Sequence, residues 1–369
     1  MRRPGKGGGE AGGEPVEALL DAAADAFEDG RLEDALAKAE AALRIAPRSV
    51  PALHHRAAAL AELGRIDDAR EAYDRALAAG KDDPELLLGA ADFHLNVLAP
   101  ADEDSEAEDG AEAALERGLE LAARGRRVAR KRGDVGLAGE LAWLEGVALN
   151  QLGRPAEALA RLADAEAALP DAVDVLLERG WALHELCRFD EAGAVLRRAE
   201  ALEPDDPWTQ HTLGLLAERR GDDEEARRRF ARARKLSPDE FPKPIAVPRE
   251  VFDQAVEDAL AALPEAVRAY LSNVVITVED LPAEHDLRAS DPPLSPSILG
   301  LFRGSPYGQK ASMDPWHHFP SSIVLYQRNL ERFARDREEL VQEIRVTLVH
   351  EVGHFLGLDE DELWERGLD

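Results

Sequence analysis

Residues 214–238 read GLLAERRGDDEEARRRFARARKLSP. Gly214 is a small residue within a first helix, Gly221 marks a turn, and Ala226, Phe230 and Ala233 share one face of a second helix that Pro238 stops. Moving outward, the same frame recurs every 34 residues: Pro170, Pro204 and Pro238; Ala158, Ala192 and Ala226; Gly146, Gly180 and Gly214. Further upstream, Gly30 and Gly64, Ala35 and Ala69, and Ala42 and Ala76 keep the interval. Several series in one frame identify a repeat rather than an alanine-rich coincidence.

Each unit reads as two helices. The small residues let them approach closely, and a large residue fills the gap one turn away. One pair cannot bury its apolar face alone, so neighbours must stack. The pattern resembles the tetratricopeptide repeat over about residues 16–240, as roughly six units; those starting near 16, 50, 139, 173 and 207 are clear, and 84–138 is degenerate. The resemblance implies a concave scaffold that binds proteins or peptides. Within the degenerate stretch, ADEDSEAEDG (101–110) reads as a solvated acidic insertion and RGRRVARKRG (124–133) as a solvated end of a long helix.

The array ends where prolines crowd. Pro238, Pro242, Pro244 and Pro248 make 241–248 a stiff linker. The remainder, 249–369, has another texture: an amphipathic helix in VFDQAVEDALAALP (251–264), a strand in NVVITVED (273–280), proline-rich loops over 281–320 with a short strand in ILGLFRG (298–304), and a strand in SSIVLYQ (321–327). One long helix, DREELVQEIRVTLVHEVGHFLGL (336–358), follows.

That helix contains His350-Glu351-Val352-Gly353-His354. At about 100° per residue, positions four apart differ by only about 40°, so both imidazoles project from one face, the arrangement a zinc ion needs. Glu351 lies beside them, within reach of a metal-bound water. Leu348 and Val352 point the other way, with Leu340, Ile344 and either Phe355 or Leu356 extending an apolar side towards a core. The alternative, a satisfied core histidine pair, would leave Glu351 as a costly buried charge.

Gly357, three residues after His354, suits a sharp turn that returns a third ligand. Glu360, six after His354, stands at the third-ligand position of the H-E-x-x-H-x-x-G-x-x-H pattern, here a carboxylate. Asp359 and Asp361 are alternatives in a run of four acids. In a thermolysin-like arrangement Glu362 or Glu365 would serve instead, while Asp359 and Glu362 also read as a solvated cap on a short last helix. Met313 precedes the histidine helix, and no methionine follows it, which departs from the metzincin pattern.

The segment 249–369 resembles the small zincin-like bacterial metallopeptidase family, whose motif is H-E-x-x-H-x-x-G-x-x-D. His350, Glu351, His354 and Gly357 match it, and Glu360 replaces its aspartate. The resemblance implies Zn²⁺ held by His350, His354 and Glu360, with Glu351 as the catalytic base that helps zinc-bound water attack a peptide bond. SSIVLYQ is the candidate edge strand for an extended substrate, and Tyr307, Tyr326, His317 and His318 are the available oxyanion donors, each reading more simply as structural or exposed. His54, His55, His94, His184, His211 and His285 lack a metal-ligand neighbourhood and read as ordinary helix or loop residues. The expected fold is mostly α: a TPR-like α-solenoid followed by a small α+β zincin-like domain. The expected function is a zinc metallopeptidase whose repeats recruit a protein or peptide. The alternative is a binding scaffold whose zinc-stabilised zincin domain hydrolyses little or nothing.

Composition agrees with this reading. The 369 residues are 45% hydrophobic and 32% charged, enough for a packed core. With 45 Lys+Arg against 74 Asp+Glu the formal charge is −29, which opposes nucleic acid and anionic membranes as partners. One cysteine, Cys187, excludes an internal disulfide and a cysteine-rich zinc site. Residues 1–15 are glycine-rich with no apolar core for a secretory signal, and read as a disordered tail. A cytoplasmic location is the resulting expectation.

Overall fold

The computed structural model describes residues 13–100, 108–304, 321–359 and 362. Of the expected tail (residues 1–15), 1–12 lie outside these, as does most of the acidic insertion (101–107), while 13–15 are not tail but the first residues of a helix that begins at Gly13. The chain divides into two compact units, residues 1–183 with 194–204, and residues 184–193 with 205–369.

The first unit is helical. Its elements are α1 (Gly13–Glu28), α2 (Leu32–Ile45), α3 (Val50–Glu62), α4 (Ile66–Ala79), α5 (Pro84–Phe93), α6 (Glu108–Arg132), α7 (Val135–Gln151) and α8 (Pro155–Ala168). Helices α9 (Val173–Glu185) and α10 (Phe189–Leu202) each contribute residues to both units. The degenerate stretch is a full helical pair: α5 continues through a π-helical turn, His94–Leu98, and packs on α6.

Sequence chemistry explains the ends. Asp83 and Asp134 accept hydrogen bonds from the backbone N–H groups of Leu86 and Leu137, capping α5 and α7. Gly30, Gly64 and Gly153 take positive φ (71°, 70° and 67°) in the turns between paired helices. Cys187, 34 residues after Gly153, occupies the same turn position with φ 56°.

The 34-residue glycines in the helices have a different job. A Cβ on Gly146 would stand 2.5 Å from Leu162 Cδ2, and one on Gly180 2.6 Å from Leu196 Cδ2. Glycine is what lets each leucine sit against the facing backbone. The basic end of α6 is less solvated than its composition suggests. Arg126 turns inward onto buried Glu145 and also reaches Asp164 at 3.3 Å, while Arg130 reaches Asp164 at 2.9 Å. The protein's own carboxylates thus engage these two cations of the run, because a helix that packs on both sides must pair what it buries.

The second unit contains α11 (Pro207–Arg219), α12 (Asp223–Leu236), α13 (Arg249–Ala262), α14 (Glu265–Tyr270), β1 (Val275–Glu279), α15 (Glu284–Leu287), β2 (Gly300–Arg303), β3 (Ser322–Tyr326), α16 (Gln327–Phe333) and α17 (Arg337–Leu356). The last helical pair belongs to this unit although it keeps the repeat pattern. Glu218 of α11 accepts from Arg328 (3.0 Å) and Arg332 (2.5 Å) of α16, and Arg219 donates to the Pro282 carbonyl at 2.8 Å.

The three strands order as β1-β3-β2, with β1 parallel and β2 antiparallel to β3. The strand expected at the sheet edge, SSIVLYQ, is therefore its centre. Both its edges are already hydrogen-bonded, so it cannot accept an added strand; among the described residues β2 and β1 are the edges. Ile323 and Leu325 face α17, whose Leu340, Ile344, Leu348, Val352 and Phe355 form a buried stripe that also meets Phe252, Val256 and Ala259 of α13. Phe355, not Leu356, completes that stripe, since Leu356 is 37% exposed. Among the described residues no helix is long and apolar enough to cross a membrane.

Candidate metal centre

Helix α17 is capped by Asp336, whose carboxylate accepts from the N–H groups of Glu338 (2.8 Å) and Glu339 (3.0 Å). Its buried stripe fixes the helix's rotation against the sheet. His350 and His354 then emerge half-buried on the side away from that core, and Glu351 is only 6% exposed.

The two imidazoles converge. Their Nε2 atoms lie 3.0 Å apart, with ring planes at 85°. Nδ1 of His354 lies 3.2 Å from the carbonyl oxygen of Leu358. A carbonyl can only accept, so this contact places the His354 proton on Nδ1 and leaves the Nε2 lone pair facing His350. The chain reaches that position because Gly357 adopts φ 97°, with its N–H and that of Leu358 both donating to the Gly353 carbonyl.

These donors fit a zinc ion. Zn–N bonds of about 2.0–2.1 Å at tetrahedral angles separate two ligand nitrogens by about 3.3 Å, close to the observed spacing. Among the described residues no group of three potential ligands forms a cluster. Glu360, expected as the third ligand, and its neighbour Asp361 lie outside the described residues, as do Glu365, Met313, Tyr307, His317 and His318. The two acids that are described hold each other: the Asp359 N–H donates to Glu362 Oε2 (3.2 Å) and the Glu362 N–H to Asp359 Oδ1 (2.9 Å), a reciprocal capping box.

Glu351 lies under strand β2. A Cβ built on Gly300 would meet Thr347 Cγ2 at 2.6 Å and Glu351 Oε1 at 3.0 Å. Sequence reasoning did not single out Gly300, though a glycine inside a strand is a signal of close backbone approach. Tyr326 alternates to the sheet face away from α17, is 0% exposed, and burial pushes its hydroxyl up to about 12. It is a structural residue and not an oxyanion donor for this site. His54, His55, His94, His184 and His211 sit in the helical repeats, and His285 is in α15.

The fold and the histidine helix together define a helical-repeat protein that ends in an H-E-x-x-H-bearing α+β domain. Residues 26–92 and 144–207 match tetratricopeptide repeat families, and residues 271–368 match the Zincin-like metallopeptidase family. The chain thus carries tetratricopeptide repeats followed by a zincin-like metallopeptidase domain. No curated protein matches it in sequence. Among solved structures, pilF of Pseudomonas aeruginosa aligns with TM-score 0.52 at 16% identity over 62% of this chain and 95% of its own. PilW, a type IV pilus biogenesis factor, aligns with TM-score 0.51 at 16% identity over 61% of this chain and 94% of its own. At these identities the likeness is one of fold.

Proposed function

We propose that the protein is a zinc-dependent metallopeptidase whose repeats recruit a protein or peptide. The carrying observation is the convergence of His350 and His354, Nε2 to Nε2 at 3.0 Å, beside a buried Glu351. Structural zinc has no use for such a glutamate, so its retention favours hydrolysis over a zinc-stabilised scaffold.

In this reading His350, His354 and Glu360 hold the ion. When bound, zinc supplies a water acidified towards a pKa of about 7 and a Lewis acid for the scissile carbonyl. Glu351 takes a proton from the attacking water at its carboxylate and returns it to the departing amine. The Leu358 carbonyl keeps the His354 proton on Nδ1, so that Nε2 remains a donor to metal. Strand β2, a sheet edge among the described residues and one that overlies Glu351, is the rail along which an extended substrate adds by backbone hydrogen bonds.

The test is metal analysis of protein purified without chelators, paired with hydrolysis of an unbiased peptide pool by wild type and Glu351→Gln. One zinc per chain in both, with turnover lost by about 10²-fold or more in the variant, is expected. Protein without stoichiometric zinc, or a variant as active as wild type, overturns the reading.

A further inference from the structure

A cavity of about 880 Å³ lies within the second unit, between α11 and α12, the linker and α16. Its floor is aromatic. His211 stacks on Phe241 with centroids 4.7 Å apart, Trp208 meets Phe241 edge-on at 4.8 Å, and Phe230 lies 5.3 Å from His211. The aromatic surface continues outside, where Trp208 is 45% and Phe333 58% exposed. Pro242 and Pro244 form part of the wall, so that side is conformationally stiff.

The charge of the lining runs against that of the chain. On a protein of net charge −29, Arg227, Arg234 and Lys243 all line this cavity. None makes an ion pair with another described residue, and Nε of Arg234 is buried with no hydrogen-bond partner. The other cations are engaged: Arg328 and Arg332 with Glu218, and Arg335 with Glu339. Of the lining carboxylates, Glu218 is held by those arginines and Glu331 by the Val247 N–H and Gln327, leaving only exposed Glu240. Arg227 Nε donates to the Asp223 carbonyl at 2.9 Å, so its charge, like those of Arg234 and Lys243, meets no carboxylate among the described residues, and three such cations around an aromatic floor form a local positive well in a negative surface.

We infer that this cavity is a docking site for an extended acidic peptide segment carrying a bulky apolar side chain. The apolar group fills the space over His211, Phe230 and Phe241, and flanking carboxylates pair with Arg227, Arg234 and Lys243. A compact ligand could fill the cavity but would leave the exposed Trp208 and Phe333 rings uncovered, whereas an extended chain covers both. A polynucleotide is disfavoured by the charge of the rest of the molecule. The site lies at the start of α17, about 20 Å of helix before His350, which suits recruitment of a chain whose further residues reach the histidine pair. That last link rests on the peptidase reading; the docking itself does not.

Fluorescence anisotropy with full-length Glu351→Gln protein tests docking without cleavage. The probes are three labelled dodecapeptides: Asp/Glu residues flanking a central Trp-Leu, the same peptide with Lys for each acid, and the acidic peptide with Ser for Trp and Leu. The first should bind at least about tenfold more tightly than the others, and weaken as salt rises. Adding Arg234→Glu with Lys243→Glu should reduce its affinity by about tenfold or more. Phe333→Ser, on an exposed ring, should weaken it severalfold with an unchanged circular dichroism spectrum. The inference is overturned if the lysine peptide binds equally, if charge reversal leaves affinity unaltered, or if a single-stranded oligonucleotide outcompetes the acidic peptide. Docking without wild-type hydrolysis would sink the peptidase reading alone.

Discussion

Gly300 of β2 and Glu351 of α17 are packed so closely that a methyl group on the glycine would stand 3.0 Å from the glutamate Oε1 and 2.6 Å from Thr347 Cγ2. The edge strand and the candidate base are therefore positioned by one contact. Gly300→Ala should cost about 1–3 kcal/mol of stability by overpacking. It should also lower peptidase turnover by more than the fold loss explains, because the relief moves Glu351. Pairing it with Thr347→Ala removes the tighter clash. The double variant should regain most of the thermal midpoint while its activity remains depressed. Equal recovery of both would mean that Gly300 serves packing alone.

If His350 and His354 hold zinc as proposed, Gly357 links backbone conformation to metal affinity. At φ 97° it brings the Leu358 carbonyl to His354 Nδ1. A Cβ there adds about 1–2 kcal/mol of left-handed strain, and relaxation of the turn withdraws the carbonyl. Gly357→Val should weaken zinc binding by about 10–100-fold, the usual consequence of losing a ligand's supporting hydrogen bond. Chelator competition measures it. Unchanged zinc affinity in a destabilised variant would confine Gly357 to helix termination.

Much of this was legible in the sequence because it lies in residue type and spacing. The 34-residue recurrence gave the helical pairs, and H-E-x-x-H on an amphipathic stripe gave the face from which His350 and His354 project. Strand order was not legible in the same way. SSIVLYQ is the candidate edge from sequence, yet its unbroken apolar run is what a strand buried on both faces needs, and Ile323 to Tyr326 are all buried. Arg126 also escaped, since composition shows a basic helix end while Glu145 and Asp164, which pair with it, come from the next two helices. The docking cavity joins residues from Trp208 to Arg335 and has no local signature at all.

Within the repeats, Gly180 and Leu196 form a matched pair 16 residues apart, with a Cβ on the glycine 2.6 Å from Leu196 Cδ2. Gly180→Val should cost about 1–3 kcal/mol and Leu196→Ala about 2–5 kcal/mol. If the pair is a small-against-large fit, the double variant should lose clearly less than the sum, because valine partly refills the space left by leucine. Chemical denaturation of the three variants gives the coupling. Strict additivity would show that the two positions do not share that space.

Buried histidines make the first unit sensitive to acid. Burial drives His54 down to about 4, with neighbouring His55 acting in the same direction and Asp83 opposing it. A folded-state value below the ordinary 6.5 means that the unfolded chain takes up more protons in between. Stability is therefore complete above about pH 6.5 and is lost as the pH falls towards 4, with a slope of up to about 1.4 kcal/mol per pH unit for one such group. His94, also lowered to about 4 chiefly by burial, adds in the same window, and His211 does the same in the second unit. Carboxylates begin to titrate near its lower end, so the informative quantity is a difference. His54→Gln keeps a polar side chain of similar size without a proton to gain. Thermal midpoints of the variant and wild type should diverge most at neutral pH, where neutral His54 contributes fully, and converge by about pH 4.5. A constant gap across that range would show that His54 does not become protonated when the protein unfolds, and the acid sensitivity would then have to originate in other groups.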